Sequence, residues 1–218
     1  MFGSVNVIGR GRVGAALAER LGQRGVALRE DAELILLCVP DAAIATTARD
    51  IAPGPWVAHV SGATSLRALE PHARRFGMHP LQTFTRTRGA EQLDGAWAAI
   101  TAENDEAREH GHALAHALGL RPFDLADDAR PLYHAGAAIA SNYLVTLHRA
   151  ATRLFEAAGA PPEALVPLMT RTIENGFELT GPIARGDWTT VGTHVRAIHD
   201  EAPDLESMYV ALAEATKP

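Results

Sequence analysis

The sequence predicts an α/β protein: a parallel sheet that is shortened after its first strand–helix unit, followed by an all-helical C-terminal part. Three observations support this prediction. An apolar run meets a glycine-rich turn near the N-terminus, strand and helix patterns then alternate, and strand patterns end near residue 125. Alternating strands and helices are typical of a parallel sheet with helices on its faces. We therefore expect two domains, residues 1–126 and residues 127–218.

The glycine-rich turn joins the first predicted strand to the first predicted helix. In Gly-Arg-Gly-Arg-Val-Gly, Gly9 permits the tight bend, Gly11 lets a pyrophosphate approach the backbone, and Gly14 lets helix and strand pack closely. The free N–H groups of the helix start would point at the phosphates. This context predicts a dinucleotide site at Gly9, Arg10, Gly11, Arg12, Val13 and Gly14.

The other elements of the first domain follow from apolar spacing and turn signals. We expect helices over residues 12–23, 42–51 and 104–118, and a short helix from residue 65. Strands are expected over residues 34–39, 56–60, 96–101 and 121–125, and a strand or extended segment over residues 77–84. Asn104 is a good N-cap for its helix. The single cysteine, Cys38, lies in an apolar strand and is expected to be buried.

The segment between the first helix and the strand at residue 34 is short. A complete mononucleotide-binding half needs a second strand, a helix and a third strand there, but only residues 26–33 are present. Residues 26–29 could be a strand with Glu30 as the ribose-binding acid. A parallel strand needs a crossover of about a dozen residues to return, so we predict a loop over residues 26–33. The part that normally holds the adenosine ribose would then be missing.

The second predicted domain is helical throughout. Residues 128–158 are expected to form one long helix that is apolar nearly all round from residue 135 to residue 145, and therefore buried. Breakers follow at Gly159 and at residues 161–162, and further helices are expected over residues 162–179, 188–201 and 204–216. Asp187 is expected to cap the second of these.

Composition limits the possible partners. The net charge is -6, and without a basic stripe this argues against nucleic acid binding. No apolar run is long enough to span a bilayer, and the chain starts with a strand pattern, so we expect no signal peptide, no membrane contact and a cytoplasmic location.

Six segments together resemble one known family, the Rossmann-like proteins with a DUF2520 C-terminal domain. They are residues 9–14, 38–41, 59–62, 77–84, 133–143 and 179–187. The group is similar to pyrroline-5-carboxylate reductase, ketopantoate reductase and the 6-phosphogluconate dehydrogenase superfamily. The resemblance implies NADP on the glycine turn, with nicotinamide near Val39, Pro40 and Val60. It also implies a small-molecule substrate between the domains and a homodimer through the long helix.

One departure from that superfamily concerns the general acid. Its hydroxyacid dehydrogenases use a lysine four residues before an asparagine on the long helix. If Asn142 is that asparagine, the lysine position holds Ala138, and the only lysine of the chain is Lys217. A catalytic lysine is therefore excluded.

Histidine is the usual proton donor near neutral pH, and two histidines are candidates. His134 lies eight residues before Asn142 on the same predicted helix, so the two would share a face. His79, followed by Pro80, lies at the expected carboxyl end of a strand, where α/β sheets place ligands. A buried, hydrogen-bonded His134 with a structural Asn142, and a turn-forming His79, are the structural alternatives.

Other polar residues have both a binding and a structural interpretation. Asp41 and Ser61 lie at strand ends, where they could contact the cofactor or simply form turns. Arg10, Arg12 and Arg29 could pair with phosphate groups or face solvent. The histidines at positions 110, 112 and 116 lack further ligands in the right register, so we expect an exposed helix face and no metal site.

Two functions from different classes fit these observations. The first is an NADP(H)-dependent oxidoreductase that reduces a small imine or keto substrate, with the proton from His134 or from a water held by Asn142. The second is a cofactor-free relative that keeps the scaffold as a ligand-binding or interaction protein, as a missing adenosine site would suggest.

Overall fold

The computed structural model describes residues 2–217. It divides into two compact units, Met1–Ala138 and Ile139–Pro218. The first unit contains the sheet and the second contains only helices and turns, so the fold is the expected Rossmann-like α/β sheet with a helical C-terminal part. A domain division at residue 126 stays a prediction.

Seven strands form one sheet in the order β2-β1-β3-β4-β5-β6-β7. Their bounds are β1 Ser4–Ile8, β2 Ala27–Leu28, β3 Leu34–Leu37, β4 Trp56–His59, β5 Arg75–Leu81, β6 Trp97–Thr101 and β7 Arg121–Asp124. All neighbouring pairs are parallel except β5 and β6, which are antiparallel. The connection from β5 to β6 contains only the 3-10 turn Ala90–Leu93 and no crossover helix. The chain therefore re-enters the sheet from the edge at which β5 ends.

A second strand does exist, which corrects the predicted loop. Ala27 and Leu28 pair with Ser4 and Val5 of β1. The chain then crosses β1 directly. In the crossing segment the Glu33 N–H donates to the Ser4 hydroxyl at 3.0 Å, and the Glu30 carbonyl accepts from the Asn6 amide at 3.4 Å. The long crossover that the prediction considered necessary is not needed, because β2 ends at Leu28 and β3 begins at Leu34, and both residues pair with Val5. The sheet is nevertheless shortened on this side, since β2 has only two residues.

Helices of the first unit cover both faces of the sheet. They are α1 Arg12–Gln23, α2 Asp41–Arg49, α3 Asp105–Ala117 and α4 Arg130–Ala138, with 3-10 turns at Leu66–Leu69 and Asp127–Ala129. Leu17 of α1 and Leu114 of α3 belong to one core cluster, and Ile44 of α2 belongs to a second, with the turn at Leu66–Leu69. As predicted, the Asn104 side chain caps α3 by accepting from the Ala107 N–H at 2.9 Å.

Residues 127–157 are helical throughout, but in four segments instead of one. The 3-10 turn and α4 belong to the first unit, and a π-helical turn Ile139–Tyr143 and α5 Leu144–Ala157 open the second. The predicted burial is wrong for this single chain, because Ile139 is 60% exposed and Tyr143 is 59% exposed. An apolar composition does not distinguish burial within the chain from burial in an assembly.

The second unit continues with α6 Leu165–Glu174, α7 Trp188–Glu201 and α8 Glu206–Ala215. Asp187 caps α7 as predicted, accepting from the Thr190 N–H at 3.0 Å. Arg153 of α5 forms two hydrogen bonds with Asp204, at 2.7 and 2.9 Å. None of the described helices is long and apolar enough to cross a membrane.

Candidate functional site

Two of the three motif glycines are required by packing within the protein. Gly9 has a φ of +98°, and a Cβ added to it would lie 2.5 Å from the Cys38 carbonyl oxygen. A Cβ added to Gly14 would lie 1.9 Å from the Gly9 carbonyl oxygen. These glycines therefore let α1 start directly against β1 and β3, which is the role predicted for Gly14.

Gly11 differs, because nothing within the protein requires a glycine there. A Cβ added to Gly11 would meet no atom within 4 Å, and its φ of -69° suits any residue. Gly11 is also the N-cap of α1, which has no side-chain cap and no acidic residue in its first turn. The first N–H groups of α1 thus face an open space that a side chain would narrow. Such a space fits an anionic group against the positive end of the helix.

Four arginines line a cleft of about 360 Å³ that adjoins this space. Arg10 and Arg12 come from the glycine turn, as predicted, whereas Arg86 and Arg88 from the segment after β5 were not predicted. Their signal in the sequence is the alternation Thr-Arg-Thr-Arg at positions 85–88. Arg88 lies 3.5 Å from the Glu91 carboxylate, whereas the other three have no carboxylate within 4.0 Å in the part of the chain described. Unpaired guanidinium groups are suited to phosphate.

Asp41 and Ser61, the predicted residues after β3 and β4, are joined by a hydrogen bond of the Ser61 hydroxyl. The Ser61 hydroxyl donates to the Asp41 carboxylate at 2.8 Å and accepts from the Thr64 N–H at 3.0 Å. Val39 and Pro40 immediately precede Asp41, the first residue of α2. Ser61 thus shapes the turn after β4, and its hydroxyl is already hydrogen-bonded within the protein.

Two predicted histidines come together beside that turn, with a tyrosine that was not predicted. The Tyr133 hydroxyl lies 2.7 Å from Nδ1 of His79, and the His79 and His134 rings are nearly perpendicular with centroids 5.9 Å apart. A Cβ added to Gly62 would lie 2.5 Å from His134 Cδ2 and 2.9 Å from His79 Nε2. The turn after β4 therefore abuts both imidazoles. The sequence signal for Tyr133 is helical spacing. Arg130 precedes Tyr133 by three residues and His134 by four, so the three side chains lie on one side of the helix.

The surroundings of this group set its protonation. Burial, followed by the nearby His134 and Arg130, lowers the pKa of His79 to about 4, although Asp41 opposes the shift. Burial raises the pKa of Tyr133 to about 12. At neutral pH the hydrogen bond therefore joins a neutral imidazole to a neutral phenol. Tyr133 holds the ring at Nδ1 and leaves Nε2 on the side of Gly62.

The remaining predicted residues lie elsewhere. Asn142 is exposed, on the π-helical turn of the second unit, and its role stays a prediction. Arg29 is exposed directly after β2, 3.3 Å from the Ser4 hydroxyl. His110 is not on an exposed face as predicted, because its ring packs on Phe2 and Trp56 at centroid distances of 4.8 and 4.6 Å. Over residues 2–217 no group of three or more His, Cys, Asp or Glu could hold a metal ion.

Comparison with known proteins gives one family and several similar structures. The family model described as "Domain of unknown function (DUF2520)" matches residues 96–216, which is more than half of the chain. No curated protein matches.

Three solved structures illustrate the similarity of fold. A "putative NADP oxidoreductase" from Bacteroides fragilis has a TM-score of 0.82 at 22% identity, over 97% of this chain and 96% of that one. Protein TM1727 from Thermotoga maritima has a TM-score of 0.76 at 22% identity, with the same coverage. Plasmodium falciparum pyrroline carboxylate reductase with NADP bound has a TM-score of 0.61 at 12% identity, over 97% and 94% of the two chains. At these identities the similarity shows the fold, which agrees with the resemblance inferred from the sequence.

Proposed function

The chain belongs to the DUF2520 family, and we propose that it is an NADP(H)-dependent oxidoreductase that reduces a small imine or keto substrate. The observation that carries the proposal is the open space at Gly11 before the uncapped start of α1. Contacts inside the protein account for Gly9 and Gly14 but not for Gly11, which leaves room for a ligand in front of α1. The oxidoreductase names of similar structures support the same choice.

The proposed cofactor contacts form two groups, one for the phosphates and one for the nicotinamide. The N–H groups of the first turn of α1 and the side chains of Arg10 and Arg12 would hold the pyrophosphate, with Arg86 beside them. Arg29 lies exposed at the end of β2, where it would bind a 2′-phosphate and so distinguish NADP from NAD. Val39, Pro40, Asp41 and Ser61 would border the nicotinamide.

When bound, NADPH supplies the hydride that adds to the carbon of the C=O or C=N bond. The oxygen or nitrogen of that bond then needs a proton. Because His79 is uncharged at neutral pH, we assign it the role of orienting the substrate through Nε2. The proton is assigned to His134, or to a water held by Asn142.

Calorimetric titration with NADPH and NADH tests the cofactor. We expect NADPH to bind, and we expect Arg29→Gln to weaken NADPH about tenfold while leaving NADH unchanged, because only the former carries a 2′-phosphate. Arg49→Gln, at an exposed position at the end of α2, is the matched control. Equal losses for both nucleotides would remove Arg29 from the phosphate site.

The second candidate function is a cofactor-free binding protein on the same scaffold. The observation in its favour is the two-residue β2, which leaves little strand for the adenosine side of a nucleotide. No heat and no quenching of Trp56, Trp97 or Trp188 fluorescence at millimolar NADPH would select this function over the first.

We further propose that the chain is a homodimer through its helical unit. Large apolar side chains of that unit are exposed, with Phe177 71% exposed and Leu168 60% exposed, together with Ile139 and Tyr143. Contiguous exposed apolar patches mark interfaces, and these side chains are proposed to form one in the dimer.

Light scattering after size exclusion tests the dimer. Wild type is expected at twice the monomer mass and Ile139→Glu at the monomer mass, because a carboxylate would be buried unpaired in the interface. Arg49→Glu, at an exposed position of the first unit, should remain dimeric. A monomeric wild type at micromolar concentration would refute the proposal.

A further inference from the structure

We propose that Arg130 is the positioning residue of this site: its buried guanidinium fixes the Ser61–Gly62 turn against His79 and His134. The inference rests on the proposed function only for the catalytic role of the two histidines. The geometry from which it is drawn lies entirely within the first unit and requires neither cofactor nor substrate.

Three adjacent strands make room for the guanidinium. His59 of β4 pairs with Gly77 of β5, and Gly77 pairs with Thr101 of β6. Directly paired residues point to the same face of a sheet, so a histidine and a threonine flank a position without a side chain. Arg130 occupies that gap, because a Cβ added to Gly77 would lie 3.0 Å from its Nη1.

The guanidinium connects the ends of two strands. Its Nη1 donates to the Thr101 hydroxyl at 2.7 Å, and its Nη2 donates to the Ser61 carbonyl oxygen. The next residue, Gly62, is the one that packs on both His79 and His134. Arg130 lies one helical turn before His134 on α4, so one helix supplies both the histidine and the arginine that holds its neighbouring turn.

The charge of Arg130 is not neutralised by direct pairing. Arg130 is fully buried, and over residues 2–217 no carboxylate lies within 4.0 Å of it. The Asp127 carboxylate, three residues earlier, instead accepts from the Ser65 hydroxyl at 2.5 Å and the Leu66 N–H at 2.9 Å. Burying an unpaired charge is costly, so its retention calls for a role beyond packing.

The groups around the guanidinium accommodate that charge by staying neutral. His59 is fully buried, and neither of its ring nitrogens has a hydrogen-bond partner in the described structure. Burial is the main cause that lowers the pKa of both His59 and His79, and the charge of Arg130 lowers both further. Asp41 faces both histidines and acts in the opposite direction, as does Asp127 on His59, while His134 adds to the lowering at His79. Arg130 therefore acts on the histidines by position and by charge.

The test separates these two effects with Arg130→Lys and Arg130→Met. NMR titration of the His79 ring, assigned by its loss in His79→Gln, reports the charge, and the amide shifts of Ser61 and Gly62 report the turn. We expect Arg130→Met to raise the His79 midpoint by at least half a pH unit and to shift both amides. Arg130→Lys should keep the midpoint within about 0.2 pH units of wild type and still shift the amides, because a lysine cannot make both hydrogen bonds in this geometry.

Thr101→Val keeps the charge and removes one acceptor, so it remains informative if Arg130→Met fails to fold. It should shift the Ser61 and Gly62 amides without moving the His79 midpoint. Folded Arg130→Met protein with an unchanged His79 midpoint and unchanged amides would overturn the proposal, as would a Thr101→Val variant with unchanged amides. These readouts need no NADPH, so a protein that binds no cofactor would refute the proposed function and leave this result standing.

Discussion

A Gly11→Ala variant will lose NADPH affinity about 100-fold, equivalent to about 2.8 kcal/mol, and will keep its fold. The added methyl group would enter the space before the N-terminus of α1, where the pyrophosphate is proposed to lie. The protein itself has no atom within 4 Å of that methyl group. The loss of an N-cap glycine should change the free energy of unfolding by no more than about 1 kcal/mol. Calorimetric titration and thermal unfolding measure the two quantities.

Gly14→Ala is the matched control for this experiment, since it makes the same chemical change three residues away. Its Cβ would lie 1.9 Å from the Gly9 carbonyl oxygen and 2.9 Å from the Cys38 Cβ. We expect it to destabilise the protein by about 3 kcal/mol or more. A Gly11→Ala protein that binds NADPH like wild type would show that the space at Gly11 is not the phosphate site.

Acidification will destabilise the protein through His59. Burial, followed by Arg130, lowers the pKa of His59 to about 4, from an ordinary value of 6.5. Between these two values the unfolded chain binds a proton that the folded chain does not, so stability is full above pH 6.5 and falls as the pH decreases toward 4. From pH 7.5 to pH 5 the loss is about 2 kcal/mol for His59. His79 has a folded pKa of about 4 for similar reasons and adds to the same slope.

Denaturant unfolding at pH 7.5, 6, 5.5 and 5 measures this slope. His59→Leu should flatten it by about the His59 contribution, because leucine fills a similar volume beside Leu66 and carries no titratable group. A His59→Leu protein with the wild-type slope would show that His59 titrates similarly in the folded and unfolded chains.

The sequence alone predicted the features that depend on residues close together in the chain. The glycine turn, the bounds of α1 and the caps at Asn104 and Asp187 follow from residue types at fixed short spacings, and the structure confirms them. The existence of β2 does not follow in this way. It depends on the pairing of Ala27 and Leu28 with β1, in a register that lets a short segment lead straight to β3, and no spacing rule includes that register.

The sequence predicted the two histidines of the candidate site but not the arginine that holds the turn beside them. His79 is marked by its strand end and His134 by its helix, whereas Arg130 becomes meaningful only through the register that aligns His59, Gly77 and Thr101. Register between strands of different segments depends on the whole sheet. For the same reason, the sequence pattern could not predict that β6 is antiparallel, which is what places Thr101 opposite Gly77.

The strand that reverses direction, β6, also lies where the matched family segment begins. The DUF2520 family model begins at residue 96, directly before β6, so the glycine turn and His79 lie outside the matched segment while Arg130, Tyr133 and His134 lie inside it. The family model therefore includes one histidine of the site and leaves out the other. Membership of this family, as the model defines it, thus depends on the segment that carries the arginine–histidine helix and not on the nucleotide turn.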